Sequence, residues 1–137
     1  MKLRAHEELT VRPGEGIGPF NLSMTRDDIV RAAFEEGEGD EDALRSSGFS
    51  FKFAGDGRCV EVEVILELWK GPITLGGKDL TILNVVETDL LFAELGPLAW
   101  SYAYCSPETG VGAVCWERTD SVYYAVSVMP TQPRPRG

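Results

Sequence analysis

Apolar residues recur at helical spacing in LSMTRDDIVRAAFEEG, where Ile29, Val30, Ala33 and Phe34 form a stripe that buries one face of a helix. Thr25 stands three residues before Asp28 as a capping box, Met24 and Ile29 occupy the positions of a hydrophobic staple, and Gly37 is the expected stop. The polar, acidic stretch that follows to about Ser47 reads as a loop. Strict alternation then begins: Phe49, Phe51 and Phe53 fall on one face of a strand, with Ser50 and Lys52 on the other. After the AGDGR turn, CVEVEVILELW sets Val60, Val62, Val64, Leu66 and Leu68 on one side and Glu61, Glu63, Ile65, Glu67 and Trp69 on the other. The pair predicts a hairpin with one apolar and one mostly acidic face.

KGPITLGGKD is turn-dense, and TILNVVETDLLFAELGP predicts a second short helix, with Asn84 or Thr81 as cap and Gly96-Pro97 as stop. AWSYAYC, VGAVCWER and SVYYAVSVM read as three antiparallel strands joined by short turns, SPETG among them. The economical arrangement is an α+β domain, an antiparallel sheet of about five strands with two helices packed on one face. It spans residues 14–130, between a flexible arm at 1–13 and a disordered tail at 131–137. An offset of 61 residues lays Leu22 on Leu83, Asp28 on Asp89 and Phe34 on Leu95. A tandem helix-hairpin duplication, with repeats 17–70 and 78–129, and two unrelated amphipathic helices both account for that.

The stretch GIGPFNLSMTRDDIVRAA resembles the helix start of tandem helix-plus-hairpin repeats of the β-lactamase-inhibitory-protein type and of small outer-membrane assembly lipoproteins, families of bacterial proteins. The resemblance covers about 18 residues of the chain. It implies helices packed on one face of an antiparallel sheet, and action by binding other proteins.

Composition narrows the functions. The chain has 137 residues, 43% hydrophobic and 26% charged, which is a globular average. Its formal charge of −9 repels phosphate backbones and anionic lipid, so neither nucleic acid nor a membrane is an expected partner. No apolar run reaches the length of a signal-peptide core or a membrane span. The single histidine, His6, lies near the N-terminus and excludes His pairs and His-based triads. Cys59, Cys105 and Cys115 are odd in number and form no CxxC pair, so a disulfide framework is not expected and a reducing cytoplasm is the default. Cysteine catalysis lacks an electropositive activator.

Motifs for cofactors fail on inspection. Gly71 and Gly76 have the spacing of a phosphate-binding loop, but Gly77 stands where Lys is needed and Asp79 would repel phosphate, which leaves a strand-connecting turn. Read as a calcium loop from Glu36, the acidic run has Glu41 in place of the required glycine and Ser47 in place of the bidentate Glu. No metal, cofactor or catalytic residue is therefore assigned. Glu61 and Glu63 stand about 6.6–6.8 Å apart along a strand, near the separation used in glycoside hydrolysis, though alternate glutamates are also what an outward face requires.

The six phenylalanines all lie at or before position 92, whereas every tryptophan and tyrosine lies at or after 69. Trp100, Tyr102 and Tyr104 alternate onto one strand face, with Trp116 on the next strand. Such a face suits an interface, and equally the core of the C-terminal sheet. These observations predict a noncatalytic, acidic protein-binding module of the inhibitor or immunity type. Trp100, Tyr102, Tyr104 and Trp116 would anchor a basic protein, steered by Glu61, Glu63, Glu67 and the acidic loop at Glu36, Glu38 and Asp40. The alternatives are a small-ligand-binding domain with an apolar aromatic pocket, an enzyme working through carboxylates alone, and a homodimer that buries the aromatic face.

Overall fold

The computed structural model describes residues 2–96, 99–102, 114–119 and 122–130. Among them lie ten strands and three helices: β1 Leu9–Arg12, β2 Gly16–Ile17, β3 Phe20–Asn21, α1 Arg26–Ala33, α2 Glu41–Ser46, β4 Phe49–Phe53, β5 Cys59–Ile65, β6 Ile73–Leu75, β7 Lys78–Asp79, α3 Val85–Leu95, β8 Ala99–Tyr102, β9 Val114–Thr119 and β10 Val122–Val128. The class is α+β, but the strands form two sheets rather than one, in the orders β3-β2-β1-β6-β7 and β4-β5-β10-β9-β8. Pairing is mostly antiparallel. The exceptions are β1 with β6 and β8 with β9, both parallel. The expected antiparallel run of three C-terminal strands is thus corrected to one antiparallel pair, β9 with β10, and one parallel neighbour. Alternation fixes which side chains share a face and carries no information on strand direction.

Both capped helices form where local signals place them. The Thr25 side chain accepts from the Asp28 backbone, and the Asp28 carboxylate accepts from Thr25 N–H, closing the box. Those bonds, with Arg31 beside it, hold the Asp28 carboxyl below its ordinary range. Asn84 and Glu87 close the same box on α3. Helix α1 ends at Ala33, before the predicted Gly37, because Phe34 turns extended at φ −131° and is buried. The acidic segment is not all loop. Asp40 caps α2 through Ala43 N–H, and Arg45 pairs with Asp42 and Glu41.

Within the expected flexible arm at 1–13, residues 2–13 supply structure. Leu3, Leu9 and Val11 are buried, Leu9 N–H donates to Pro72 O, and the backbone amides of Lys2 and Leu3 both donate to Ala33 O at the end of α1. KGPITLGGKD folds as the β6–β7 hairpin, turned by Gly76 and Gly77 at φ +59° and +80°, a conformation that favours glycine.

One continuous hydrophobic cluster joins the two sheets and all three helices. Phe20 of the first sheet meets Phe49 and Phe51 of the second edge-on, at centroid distances of 5.0 and 5.1 Å. Val62 and Val64 pack from β5, Val126 and Val128 from β10, and Val114 and Trp116 from β9, all buried. A second, smaller cluster of Cys115 and Met129 lies apart from this core. Cys115 is disulfide-bonded, where no disulfide was expected from the sequence. Cys59 is the free cysteine among the described residues.

Candidate functional site

Helix α3 borders a cleft against the second sheet. Its inner face buries Thr88 and Leu91 and sets Phe92 against Trp116, with ring centroids 4.2 Å apart, and against Tyr123 at 5.5 Å. The Tyr123 hydroxyl donates to Asp89 Oδ1 at 2.7 Å, tying β10 to the helix. Between the start of α3 and the second sheet is a cleft of about 280 Å³, lined by Leu66, Leu80, Leu83, Trp116 and Tyr123 among others. An adjoining hollow of about 380 Å³ shares Leu66, Leu80, Leu83 and Tyr123 and adds Glu67, Thr81 and Tyr124.

The outer side of the same helix is apolar as well. Val86 and Leu90 are 67% and 66% exposed and lie one turn apart on the helix, and Ile82, in the turn just before the helix, is 78% exposed. Helical spacing places Glu87 and Glu94 beside Leu90, and Asp89 beside Val86, and all three carboxylates are exposed. Lys78, Leu83, Glu87, Leu90 and Glu94 line a groove of about 260 Å³ along this side.

The residues singled out from the sequence scatter. Trp116 is 1% exposed and belongs to the core. In the β8–β9 pair Ser101 is level with Trp116, whereas Trp100 is level with Cys115 and Tyr102 with Glu117. The register thus sets Trp116 out of step with Trp100 and Tyr102. Tyr104 lies outside the described residues, as do the SPETG turn and the TQPRPRG tail.

Glu61 is not on a solvated strand face. It is 3% exposed, and Met129, one residue beyond the Val128–Val62 pair, comes level with it and is also buried. Burial pushes the Glu61 carboxyl up, opposed by Lys52 across the β4–β5 pair and assisted by Glu63. Its Oε1 and the Ser127 hydroxyl are buried without a hydrogen-bond partner. Glu63 is half-buried and accepts from the Ser50 hydroxyl at 3.2 Å. The two carboxylates stand in different environments, and the expected acidic face is corrected to one sealed and one half-covered group.

Glu67 lines the hollow that adjoins the α3 cleft. Glu36 lines a separate groove of about 570 Å³ with Lys2, Asp27, Arg31 and Phe34. Glu38 accepts from Glu35 N–H, and Asp40 is occupied as a helix cap. The outer α3 row went unread because TILNVVETDLLFAEL is apolar on more than one face, so its periodicity marks a helix without marking the buried side. Among the described residues no group of three His, Cys, Asp or Glu side chains is placed to hold a metal ion, and no helix is long and apolar enough to cross a membrane. Comparison with protein-family models, with curated proteins and with solved structures finds no match to this chain.

Proposed function

We propose that this chain is a noncatalytic protein-binding module of the inhibitor or immunity type, which takes a basic, amphipathic segment of a partner protein on the outer side of α3. The observation that carries this reading is the exposed row Ile82, Val86 and Leu90 beside Glu87, Asp89 and Glu94. An apolar row of this kind is costly to leave in water, and it fits the i, i+4 anchors of an amphipathic helix. Charge selects the partner. The net −9 steers cations toward the molecule, and a second copy docking on the same face would set Glu87 and Glu94 against its own.

One feature is in keeping with a tandem duplication. A tight hairpin, β2–β3 or β6–β7, precedes each boxed helix, and β1 joins the two hairpins into one sheet. The disulfide at Cys115 favours a working compartment more oxidising than the cytoplasm first expected.

The test uses the full chain and a synthetic helical peptide of leucine and lysine, about 14 residues long, with a leucine-glutamate peptide as control. Calorimetry should find binding of the lysine peptide that weakens at least about tenfold from roughly 50 to 300 mM salt. The V86D/L90D double variant should lose it, and both positions are exposed enough for the variant to fold. Binding untouched by V86D/L90D, equal binding of the glutamate peptide, or self-association of the chain through this face would overturn the proposal.

A further inference from the structure

Resting on the protein-binding reading, we infer that the cleft beside α3 is the anchor site for one basic side chain of the partner. A lysine-like alkylammonium fits it, with the stem among Leu66, Leu80, Leu83 and Tyr123 and the charge at Glu67. The cleft and its neighbouring hollow share those four apolar-bodied residues, so their walls are continuous, and Glu67 stands in the lining of the hollow. A lysine side chain matches that profile, because its methylene stem covers apolar surface while its head stays at the wet end.

The polar inventory of the cleft points to a cation. The Thr81 hydroxyl donates to Asp79 Oδ1, the Thr88 hydroxyl to Asn84 O, and the Tyr123 hydroxyl to Asp89, while the Asn84 side chain caps α3. Tyr124 has interactions of its own. The three hydroxyls of Thr81, Thr88 and Tyr123 are thus engaged, and the Asn84 Oδ1 is taken by the helix cap. Glu67 is exposed and makes no hydrogen bond or ion pair with the described residues, and it is the carboxylate among the described residues in this lining. The charged group in this lining is an anionic acceptor beside an apolar wall, where a partner charge is less screened than on open surface.

The cleft and the outer row are also neighbours. Leu83 lines the cleft, the hollow and the outer groove, and Ile82 precedes it in the chain. A segment lying on Val86 and Leu90 is therefore in position to send one side chain around the start of α3 toward Glu67.

Small probes test the cleft apart from the helix face. n-Pentylammonium, n-pentanol and pentanoate are titrated into the full chain, and amide and side-chain NMR shifts are followed. Pentylammonium should bind about three- to fivefold more tightly than pentanol, with pentanoate weakest, and the shifts should centre on Leu66, Leu83, Tyr123 and the Trp116 indole. Glu67→Gln, at an exposed turn, should bring pentylammonium down to the level of pentanol while leaving pentanol unchanged. Equal binding of all three probes, a preference that survives Glu67→Gln, or shifts lying away from the cleft would overturn the inference. V86D/L90D should leave the probe titration unaltered, so a failed helix face with an intact amine preference condemns the docking reading, and the converse condemns the cleft.

Discussion

Lys52 Nζ lies 3.4 Å from Glu61 Oε2 across the β4–β5 pair, and only the lysine reaches water, since Glu61 is 3% exposed. Lysine on the edge strand satisfies one carboxylate oxygen, and the other is buried without a partner. The pairing therefore offsets part of the cost of burying the charge, and burial remains the leading influence on this carboxyl.

That balance predicts a pH dependence with a definite sign. Because the folded pKa of Glu61 is raised, the folded chain holds this proton to higher pH than the unfolded chain does. Between the two values stability falls as pH rises, with no penalty below the unfolded value and the full penalty above the folded one. Glu61→Gln should be more stable than the parent at neutral pH by about 1 kcal/mol, and the difference should vanish near pH 3, where Glu61 is protonated in both states. Urea denaturation across a pH series measures this. A variant less stable than the parent at neutral pH would mean that the Lys52 pair outweighs burial.

The cysteines predict a thiol count. Cys59 is buried, its thiol donates to Glu61 O, and burial pushes its pKa up to about 11, so at neutral pH the folded protein presents little thiolate there. Iodoacetamide should leave Cys59 unmodified in the native chain. With Cys115 disulfide-bonded, the chain unfolded without reductant should take up one adduct by mass, and all three cysteines should react after reduction. Reduction should also lower stability by about 2–3 kcal/mol. A second adduct before reduction would refute the bond.

Trp116 predicts a stability effect in place of a binding one. It sits 1% exposed against Phe92, so Trp116→Ala should cost about 3–5 kcal/mol, read by circular dichroism in urea. Trp116→Phe keeps a ring in the site and should cost clearly less. A loss below about 1 kcal/mol for the alanine variant would return Trp116 to the surface.

What could be read along the chain was what four or five neighbouring residues decide among themselves. The boxes at Thr25–Asp28 and Asn84–Glu87 are closed by side chain and backbone three positions apart; the first forms where the spacing predicts, and the second settles on Asn84 a cap that the sequence left open between Asn84 and Thr81. The Phe49–Phe53 alternation likewise yields a strand over those same residues. Shorter pieces escaped. β2, β3 and β7 have two residues each, too few for a period, and α2 has six residues whose polar composition hides a helix held by Asp40 and Arg45.

The candidate site was less legible for the same reason. Glu67 was singled out as one of several outward glutamates, with nothing to separate it from Glu61, two residues per face being equivalent in an alternating strand. The sequence by itself determined the start of α1, the alternating strands β4 and β5 and the excess of negative charge, all of which rest on local geometry or simple counting. Only the tertiary structure decided which faces are covered. Met129, far along the chain, comes level with Glu61 and shares its burial, the β8–β9 register parts Trp116 from Trp100, and α3 turns Leu91 inward and Leu90 outward. Alternation and helical period say which side chains travel together, and contacts between distant segments choose which group loses its water.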